Sequence, residues 1–294
     1  MNKKRGFWPL AIVFALYVLF LYGPVITIFT LSFQGPEGGL TFPMRGLSLH
    51  WYEELFKGLG VVDIGAAIRR SLGLGAVVMG LTVAISLAAG LAFRKGFKGS
   101  GLLFYSSVAS LIMPSIIISL GIGLQFRLFD TGIKAVLEHF EMTSTLESYT
   151  TLMGLYTSGL GAHLTWTLPF GMLIMFAVFN RFSPAYEEAA RDLGATPGQT
   201  LRHVVLPLIG PSLVGVGMFG FTLSWDEIAR SSQAIGDVNT LPLELQGLTT
   251  TVTTPSIYAL GSMTTLVSLA VITLALLGVA VLRKRALARQ PGGH

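Results

Sequence analysis

Long uncharged stretches alternate along the chain with short charged segments. Six stretches without Asp, Glu, Lys or Arg exceed the roughly 18 residues that a bilayer-spanning helix needs, and they run 6–36, 71–93, 99–126, 148–180, 203–225 and 245–282. Each is a continuous apolar run, unlike the alternating strands of a β-barrel. Because lipid offers no partners to free backbone groups, each run is predicted to be helical. The predicted spans are about 7–33, 67–93, 100–126, 150–180, 206–231 and 257–282.

Composition supports the same fold class. Charged residues make up 12% of the chain, about half their usual share in soluble domains. Residues 1–294 are therefore expected to form a single all-α integral membrane domain. The apolar run Phe7–Phe33 exceeds the core of a signal peptide and lacks an A-x-A-like cleavage site, which favours an uncleaved first span. Outside the spans, short helices are expected over 49–56 and within 127–150.

Lysine and arginine residues indicate the orientation. If the N-terminus lies inside, thirteen of the twenty basic residues fall on the inner side and seven on the outer side. The positive-inside rule then places both termini in the cytoplasm. Twelve of the fifteen acidic residues fall outside, so the inner face carries an excess of ten positive charges and the outer face an excess of five negative ones. The basic pI therefore follows from topology and does not indicate nucleic-acid binding.

The charged segment between the fourth and fifth predicted spans has strong local signals for structure. We call this segment, residues 183–206, the elbow. Ser183 is predicted to cap a first helix, with Pro184 at its first position. Glu187 and Arg191 have the spacing of an i,i+4 ion pair on that helix. The orientation above places this segment in the cytoplasm.

A glycine and a second capping signal divide the elbow into two parts. Gly194 is a natural stop for the first helix. Thr196 and Gln199 have the spacing of a capping box, which begins a second helix. That helix is expected to end at Leu206-Pro207 and to lead into the fifth span. The elbow is therefore predicted to be two short, rigid helices that project from the membrane.

Part of the elbow follows a longer pattern. Glu188-Ala189-Ala190, Gly194 and Val204-Val205-Leu206-Pro207 have the spacing E-A-A-x3-G-x9-I-x-L-P, with Val204 in place of the usual isoleucine. This pattern resembles the EAA motif of the permease subunits of binding-protein-dependent ABC importers. The resemblance implies a type I ABC importer permease fold with a cytoplasmic coupling helix. It also implies that the ATPase-coupling residues are Glu187, Glu188, Ala189, Ala190, Gly194, Val204, Leu206 and Pro207.

The same resemblance implies the partners. The coupling helix would dock in a cleft of a cytoplasmic ATPase subunit, and closure of two such subunits would move the spans. This chain has no G-x-x-x-x-G-K-[ST] phosphate loop, so we expect ATP and Mg²⁺ on separate subunits and no cofactor here. The expected partners are a second permease, identical or different, two ATPase subunits and a periplasmic or extracellular substrate-binding protein. The expected location is the cell inner membrane.

Catalytic and metal sites are not expected. The chain lacks HExxH and GxSxG motifs and has no cysteine, which excludes disulfides and cysteine-based metal sites. Its five histidines are scattered along the sequence and are interpreted as structural or solvated. An enzyme is therefore a poor interpretation of this sequence. An ion-coupled secondary transporter is the other alternative, but it would need ionisable groups within the spans, whose centres are almost free of charge.

Candidate cargo contacts lie at the outer end of the fifth span. Trp225, Asp226 and Glu227 are placed near the outer membrane boundary, where carboxylates beside an aromatic ring suit a di- or polyamine. The alternative is that both acids lie in the headgroup region or pair with Arg230. Residues 222–227 and 239–243 resemble the spermidine/putrescine branch of the importer family. Iron, phosphonate or another small solute remains an alternative cargo.

Overall fold

A computed structural model of the protein describes residues 7–57, 63–252 and 254–288. Within those ranges the chain is helical, with an isolated bridge between Gln34 and Leu47 and no longer strand. The α-helices are α1 (Phe7–Leu31), α2 (His50–Lys57), α3 (Ile64–Phe93), α4 (Ser100–Ile112), α5 (Ser115–His139), α6 (Thr143–Ser148), α7 (Leu160–Asn180), α8 (Ala185–Asp192), α9 (Pro197–Thr200), α10 (Leu206–Trp225), α11 (Leu241–Thr251) and α12 (Ser256–Ala288). Two π-helical turns, Leu155–Gly159 and Leu201–Val205, precede α7 and α10.

The prediction of six membrane-spanning helices is confirmed. Six helices of the described residues are long and apolar enough to cross a membrane: Phe7–Leu31, Ile64–Phe93, Ser115–His139, Leu155–Asn180, Pro197–Trp225 and Ser256–Gly278. The short helix expected over 49–56 is α2. The helix expected within 127–150, from the spacing of residues 133–140, is not a separate element but the last part of α5, which runs to His139.

The third predicted span, 100–126, is not one helix. It is divided into α4 and α5 by a break at Met113 and Pro114, which both adopt extended ψ angles of 137° and 128°. Pro114 cannot donate a backbone N–H, which removes one bond from a continuous helix. The helix that is long and apolar enough to cross a membrane is α5, and it continues through His139 into the segment predicted as an outer loop.

The fifth predicted span, 206–231, also differs at both ends. Its helix begins earlier, because α9, the π-helical turn and α10 follow one another without interruption from Pro197 to Trp225. It ends earlier too, because the chain leaves helical geometry after Trp225. Residues 226–235, which we call the strap, are a series of turns.

The chain divides into two compact units. The first comprises residues 1–66 and 244–270. Here the side chain of Gln34 organises the loop after α1: its Oε1 accepts the N–H of Arg45 at 2.7 Å, and its Nε2 donates to the carbonyl of Gly39 at 3.1 Å. The Tyr258 hydroxyl donates to the carbonyl of Leu40 at 2.9 Å. The loop therefore has fixed partners within its own unit.

The second unit comprises residues 67–243 and 271–294 and contains the elbow and the strap. One core cluster lies towards the elbow and a second lies towards the strap; their buried members are Met175, Phe179, Val205, Ile209 and Val216 in the first and Leu74, Val78, Leu155 and Ile235 in the second. Helices α3 and α7 approach so closely that a Cβ on Gly171 would overlap the hydroxyl of Ser86. Small residues of this kind let membrane helices pack tightly.

Candidate functional site

The first helix of the elbow ends as its glycine predicts. Gly194 has a φ of +82°, which is favourable only for a residue without a Cβ. Its N–H donates to the carbonyl of Arg191 at 2.8 Å, and the N–H of Ala195 donates to the carbonyl of Ala190 at 3.0 Å. These two bonds are a Schellman motif, which satisfies the last carbonyls of α8. The bend is thus fixed by hydrogen bonds and is not a hinge of free backbone.

The beginning of α8 differs from the prediction. Pro184, and not Ser183, occupies the N-cap position, and the helix has no side-chain cap. The predicted Ser183 cap is therefore wrong. Glu187 and Glu188 lie in the first turn, where the helix dipole favours acidic side chains.

The second helix begins with the predicted capping box. The N–H of Gln199 donates to the Thr196 hydroxyl at 3.3 Å, and the N–H of Thr196 donates to the Gln199 side chain at 2.8 Å. This helix does not end at Leu206-Pro207 but continues to Trp225. The prediction of a separate second helix is therefore wrong. Its 29 residues measure about 43 Å, more than the hydrocarbon thickness of a bilayer.

A local change from α-helix to π-helix lets this long helix continue through Pro207. Pro207 has no N–H, and in a regular α-helix its ring would collide with the carbonyl of His203. The preceding residues Leu201–Val205 form a π-helical turn, and the N–H of Leu206 donates to the carbonyl of Leu201. Such adjustments resatisfy the backbone around a proline. Val205 and Leu206 meanwhile pack into the core cluster nearest the elbow.

Glu187 connects the elbow to the second span. Its carboxylate accepts two hydrogen bonds from Arg94, at 2.8 and 3.0 Å. Arg94 follows the last residue of α3, and its guanidinium also lies over the rings of Phe179 and Phe182, 5.0 and 5.3 Å from their centroids. One arginine therefore joins the ends of α3 and α7 to α8. Two parallel charge-assisted hydrogen bonds make such a pair stronger and also fix the relative orientation of its two side chains.

The ion pair predicted between Glu187 and Arg191 is wrong. The guanidinium of Arg191 donates to the main-chain oxygen of Glu187 at 3.3 Å, while the carboxylate is bonded to Arg94. Hydrogen bonds from Arg94 hold the pKa of the Glu187 carboxyl below its usual value. Because this pKa is lowered, Glu187 is ionised and the ion pair is intact at neutral pH. The pair is lost only when the pH falls through the lowered pKa and the carboxylate is protonated.

The motif residues divide between two faces of α8. Ala190 is buried at 9% exposure, and Glu187 is partly buried against Arg94. Glu188 and Ala189 are exposed, and so is Leu193, at 90%. The first face holds the elbow to its own helices. The second presents an acid, a small residue and an apolar residue to the surroundings.

The candidate cargo residues are in three different environments. Trp225 is 2% exposed and stacks on Phe221 with centroids 5.9 Å apart. Asp226 is exposed. Glu227 is partly buried, and its carboxylate accepts the main-chain N–H of Arg230 at 2.8 Å. The three side chains are adjacent in sequence but do not form one surface in this conformation.

Buried polar groups next to these residues, His163 and Arg230, are not predicted from the sequence. His163 is fully buried; its Nδ1 is 2.8 Å from the Ser224 hydroxyl and its Nε2 is 2.9 Å from that of Ser231. Arg230 is also fully buried, although the charge count assigns it to the outer side of the membrane. The signal in the sequence was a histidine within an apolar run, because a polar group in a membrane span needs hydrogen-bond partners inside the protein.

Several known proteins are similar to this chain in sequence. The profile of the family "Binding-protein-dependent transport system inner membrane component" matches residues 77–287. The chain is similar to the spermidine/putrescine transport system permease protein PotC of Haemophilus influenzae, with 32% identity over 92% of this chain and 96% of the relative. It is 27% identical to the putrescine transport system permease protein PotI of Escherichia coli K12, over 81% of this chain and 79% of the relative.

Among solved structures, the crystal structure of a bacterial ABC transporter involved in the import of the acidic polysaccharide alginate aligns over 99% of both chains, with a TM-score of 0.48 and 15% identity. The family match covers most of the chain and includes the elbow and the strap. The chain therefore belongs to the inner membrane components of binding-protein-dependent transport systems, the permease subunits of ABC importers.

Proposed function

We propose that separate ATPase subunits drive this permease through the exposed face of α8. The observation that carries the proposal is the division of the motif: Glu188, Ala189 and Leu193 are exposed on an element whose bend is fixed by hydrogen bonds. A small residue lets a partner approach closely, and an exposed leucine gives it apolar area to bury. In this proposal the whole chain acts as one permease, with its termini and elbow in the cytoplasm.

The inward face explains how movement would reach the spans. Force applied to α8 passes through Glu187 to Arg94 at the end of α3, and through Gly194 into the continuous helix Pro197–Trp225. Gly194, Val204, Leu206 and Pro207 would therefore transmit movement, whereas Glu188 and Ala189 would receive it. The long helix extends from the elbow to the strap, so its two ends shift together.

The remaining parts of the importer follow from the family. Two ATPase subunits would bind ATP and Mg²⁺, a second permease would complete the path, and a soluble binding protein would deliver the cargo. This chain would bind no nucleotide and catalyse no reaction itself.

An exchange of charge tests the exposed face. Glu188→Lys is expected to abolish co-purification of the ATPase and ATP-dependent uptake, because it reverses a charge at the proposed contact without touching the inward face. Membrane insertion is expected to be normal. Glu147→Lys is the matched control, since Glu147 is an exposed acid on α6, outside the elbow. Wild-type co-purification of the ATPase with Glu188→Lys would contradict the proposal.

We propose a polyamine as the cargo. The relatives above are spermidine/putrescine and putrescine permeases by name, and the exposed carboxylate of Asp226 at the end of α10 suits a cationic amine. Glu227 would add negative charge nearby, whereas Trp225 would contact cargo only in a conformation that exposes its ring. Iron, phosphonate or another small solute remains the alternative.

Uptake by proteoliposomes that contain the complete importer tests the cargo. Asp226→Asn is expected to raise the KM for spermidine several-fold and to leave assembly unchanged, because it removes one charge that attracts the amine. Asp237→Asn, at another exposed outer aspartate, is expected to have little effect. Unchanged spermidine uptake by Asp226→Asn would show that Asp226 does not contact the cargo. If an anion but no polyamine were taken up, the proposal of a polyamine cargo would be refuted.

A further inference from the structure

The break between α4 and α5 leaves a carbonyl without its helical partner. In a continuous helix the carbonyl of Ser110 would accept the N–H of residue 114, four positions later. Residue 114 is a proline and has no N–H. In a membrane span such a group costs several kcal/mol unless another donor satisfies it.

Arg230 supplies that donor. Its Nη2 donates to the carbonyl of Ser110 at 2.9 Å, on the α4 side of the break, and its Nε donates to the hydroxyl of Ser115 at 3.3 Å, on the α5 side. Its Nη1 donates to the hydroxyl of Thr165 on α7. The guanidinium lies 4.8 Å from the ring centroid of Trp166. One side chain thus contacts both sides of the break and a third helix.

The charge of this arginine is solvated mainly by neutral groups. Arg230 is 0% exposed, and the carboxylate of Glu227 accepts its main-chain N–H. The Ser110 carbonyl lies in the last turn of α4, where the helix dipole favours a cation, and the face of Trp166 adds a cation–π contact. A buried cation is still costly compared with an apolar side chain of the same volume. Packing alone therefore gives no reason for an arginine here.

Further hydrogen bonds hold the strap against the same helices. The hydroxyl of Ser119 on α5 donates to the carbonyl of Arg230 at 2.8 Å and accepts the N–H of Gln233 at 3.0 Å. His163 on α7 contacts Ser231 at 2.9 Å. The strap is therefore attached to α5 and α7, and it continues directly from the outer end of α10.

We propose that Arg230 is a positioning residue for transport, which locks the joint between α4 and α5 to the strap. The angle between α4 and α5 and the outer end of α10 then change together when the importer changes state. The transport role rests on the proposed function above, whereas the lock itself is a property of this chain.

Spin-label distances test the lock directly. This chain has no cysteine, so labels attach to it only at introduced sites, and the partner subunits are used in cysteine-free form. Leu103 on α4 and Leu128 on α5 are exposed and suit the two labels. In the assembled importer the wild-type arginine is expected to give one narrow distance distribution between these labels. Arg230→Gln is expected to broaden or shift it, and Arg127→Gln, at an exposed arginine of α5, is the control. An unchanged distribution in Arg230→Gln would overturn the proposal.

A double variant tests whether Arg230 positions the helices or only supplies the hydrogen bond that the Ser110 carbonyl lacks. Pro114→Ala restores an N–H for Ser110, so Pro114→Ala/Arg230→Gln is expected to recover thermal stability lost in Arg230→Gln. Its label distances and uptake are expected to stay altered, with uptake at least tenfold below wild type, because the strap is still detached. Recovery of distances and uptake together with stability would show that Arg230 only replaces a missing donor.

Arg230→Lys covers the case in which the glutamine variant fails to assemble. Lysine keeps the charge but cannot donate in a planar fork to three separated acceptors, so uptake is expected to remain at least tenfold low. Wild-type uptake with lysine would refute the lock. Label distances need no nucleotide hydrolysis, so absence of ATP-driven uptake in the wild type would refute the proposed function while the distance result still decides the lock.

Discussion

Breaking the pair between Arg94 and Glu187 tests how the elbow is connected to the spans. The pair has two charge-assisted hydrogen bonds of 2.8 and 3.0 Å, and its side chains are 22% and 18% exposed. Coulomb's law at an effective dielectric constant of about 20 gives roughly 4 kcal/mol at 4 Å. Solvent exposure and side-chain entropy reduce this value, and residues in contact typically show coupling of about 0.5–3 kcal/mol.

The assay is a double-mutant cycle in proteoliposomes that contain the complete importer. Arg94→Gln and Glu187→Gln are each expected to lower uptake per ATP hydrolysed about fivefold or more, because about 1 kcal/mol of coupling corresponds to that factor. ATPase co-purification is expected to persist, since Glu188, Ala189 and Leu193 are unchanged. The double variant is expected to be no worse than either single variant, because both remove the same contact.

Additivity would refute this reasoning. If the effects of the two substitutions sum within about 0.5 kcal/mol, the residues act independently. Wild-type uptake per ATP in both single variants would show that the pair carries no movement. Arg181→Gln is a suitable control, because Arg181 is an exposed basic residue that follows α7 directly.

Three further substitutions test the local geometry. Gly194→Ala is expected to cost about 1–2 kcal/mol, because φ is +82° there, and calorimetry of the complex would show a lower Tm; an unchanged Tm would contradict the fixed bend. Thr196→Ala removes the capping hydrogen bond to Gln199 and is expected to lower the free energy of unfolding by about 1 kcal/mol. Chemical denaturation measures this loss, and Thr196→Ser is the control that should retain stability. Gly171→Val is expected to prevent normal packing of α7 on α3, because the space is taken by Ser86, and full expression and uptake would show that the helices separate at little cost.

The sequence predicted what depends on local chemistry. The six spans follow from runs of apolar residues, and the bend at Gly194 and the capping box at Thr196 follow from residues whose partners are at most five positions away. Local rules failed where a distant group changed the outcome. The ion pair of Glu187 is one case, since Arg94 lies 93 positions away and replaces the expected i,i+4 partner.

The broken third span shows the same limit. Pro114 disfavours a continuous helix, but whether α4 and α5 bend or separate depends on a donor for the Ser110 carbonyl. That donor, Arg230, lies 120 positions away. The charge count assigns Arg230 to the outer side because it lies beyond the uncharged run 203–225, and nothing in the sequence shows that the chain after this run folds back against the helices. Charge counting alone does not distinguish a solvated arginine from one buried by the strap.

Cross-linking at the exposed face of α8 tests the central claim most directly. Leu193→Cys would place the only cysteine of this chain at a side chain that is 90% exposed, in an importer whose other subunits are cysteine-free. In the intact importer this cysteine is expected to cross-link to an ATPase subunit and to be protected from a membrane-impermeant thiol reagent added outside. Labelling of this cysteine from the outside, or assembled importers that hydrolyse ATP and import cargo without any cross-link between position 193 and the ATPase, would contradict the account.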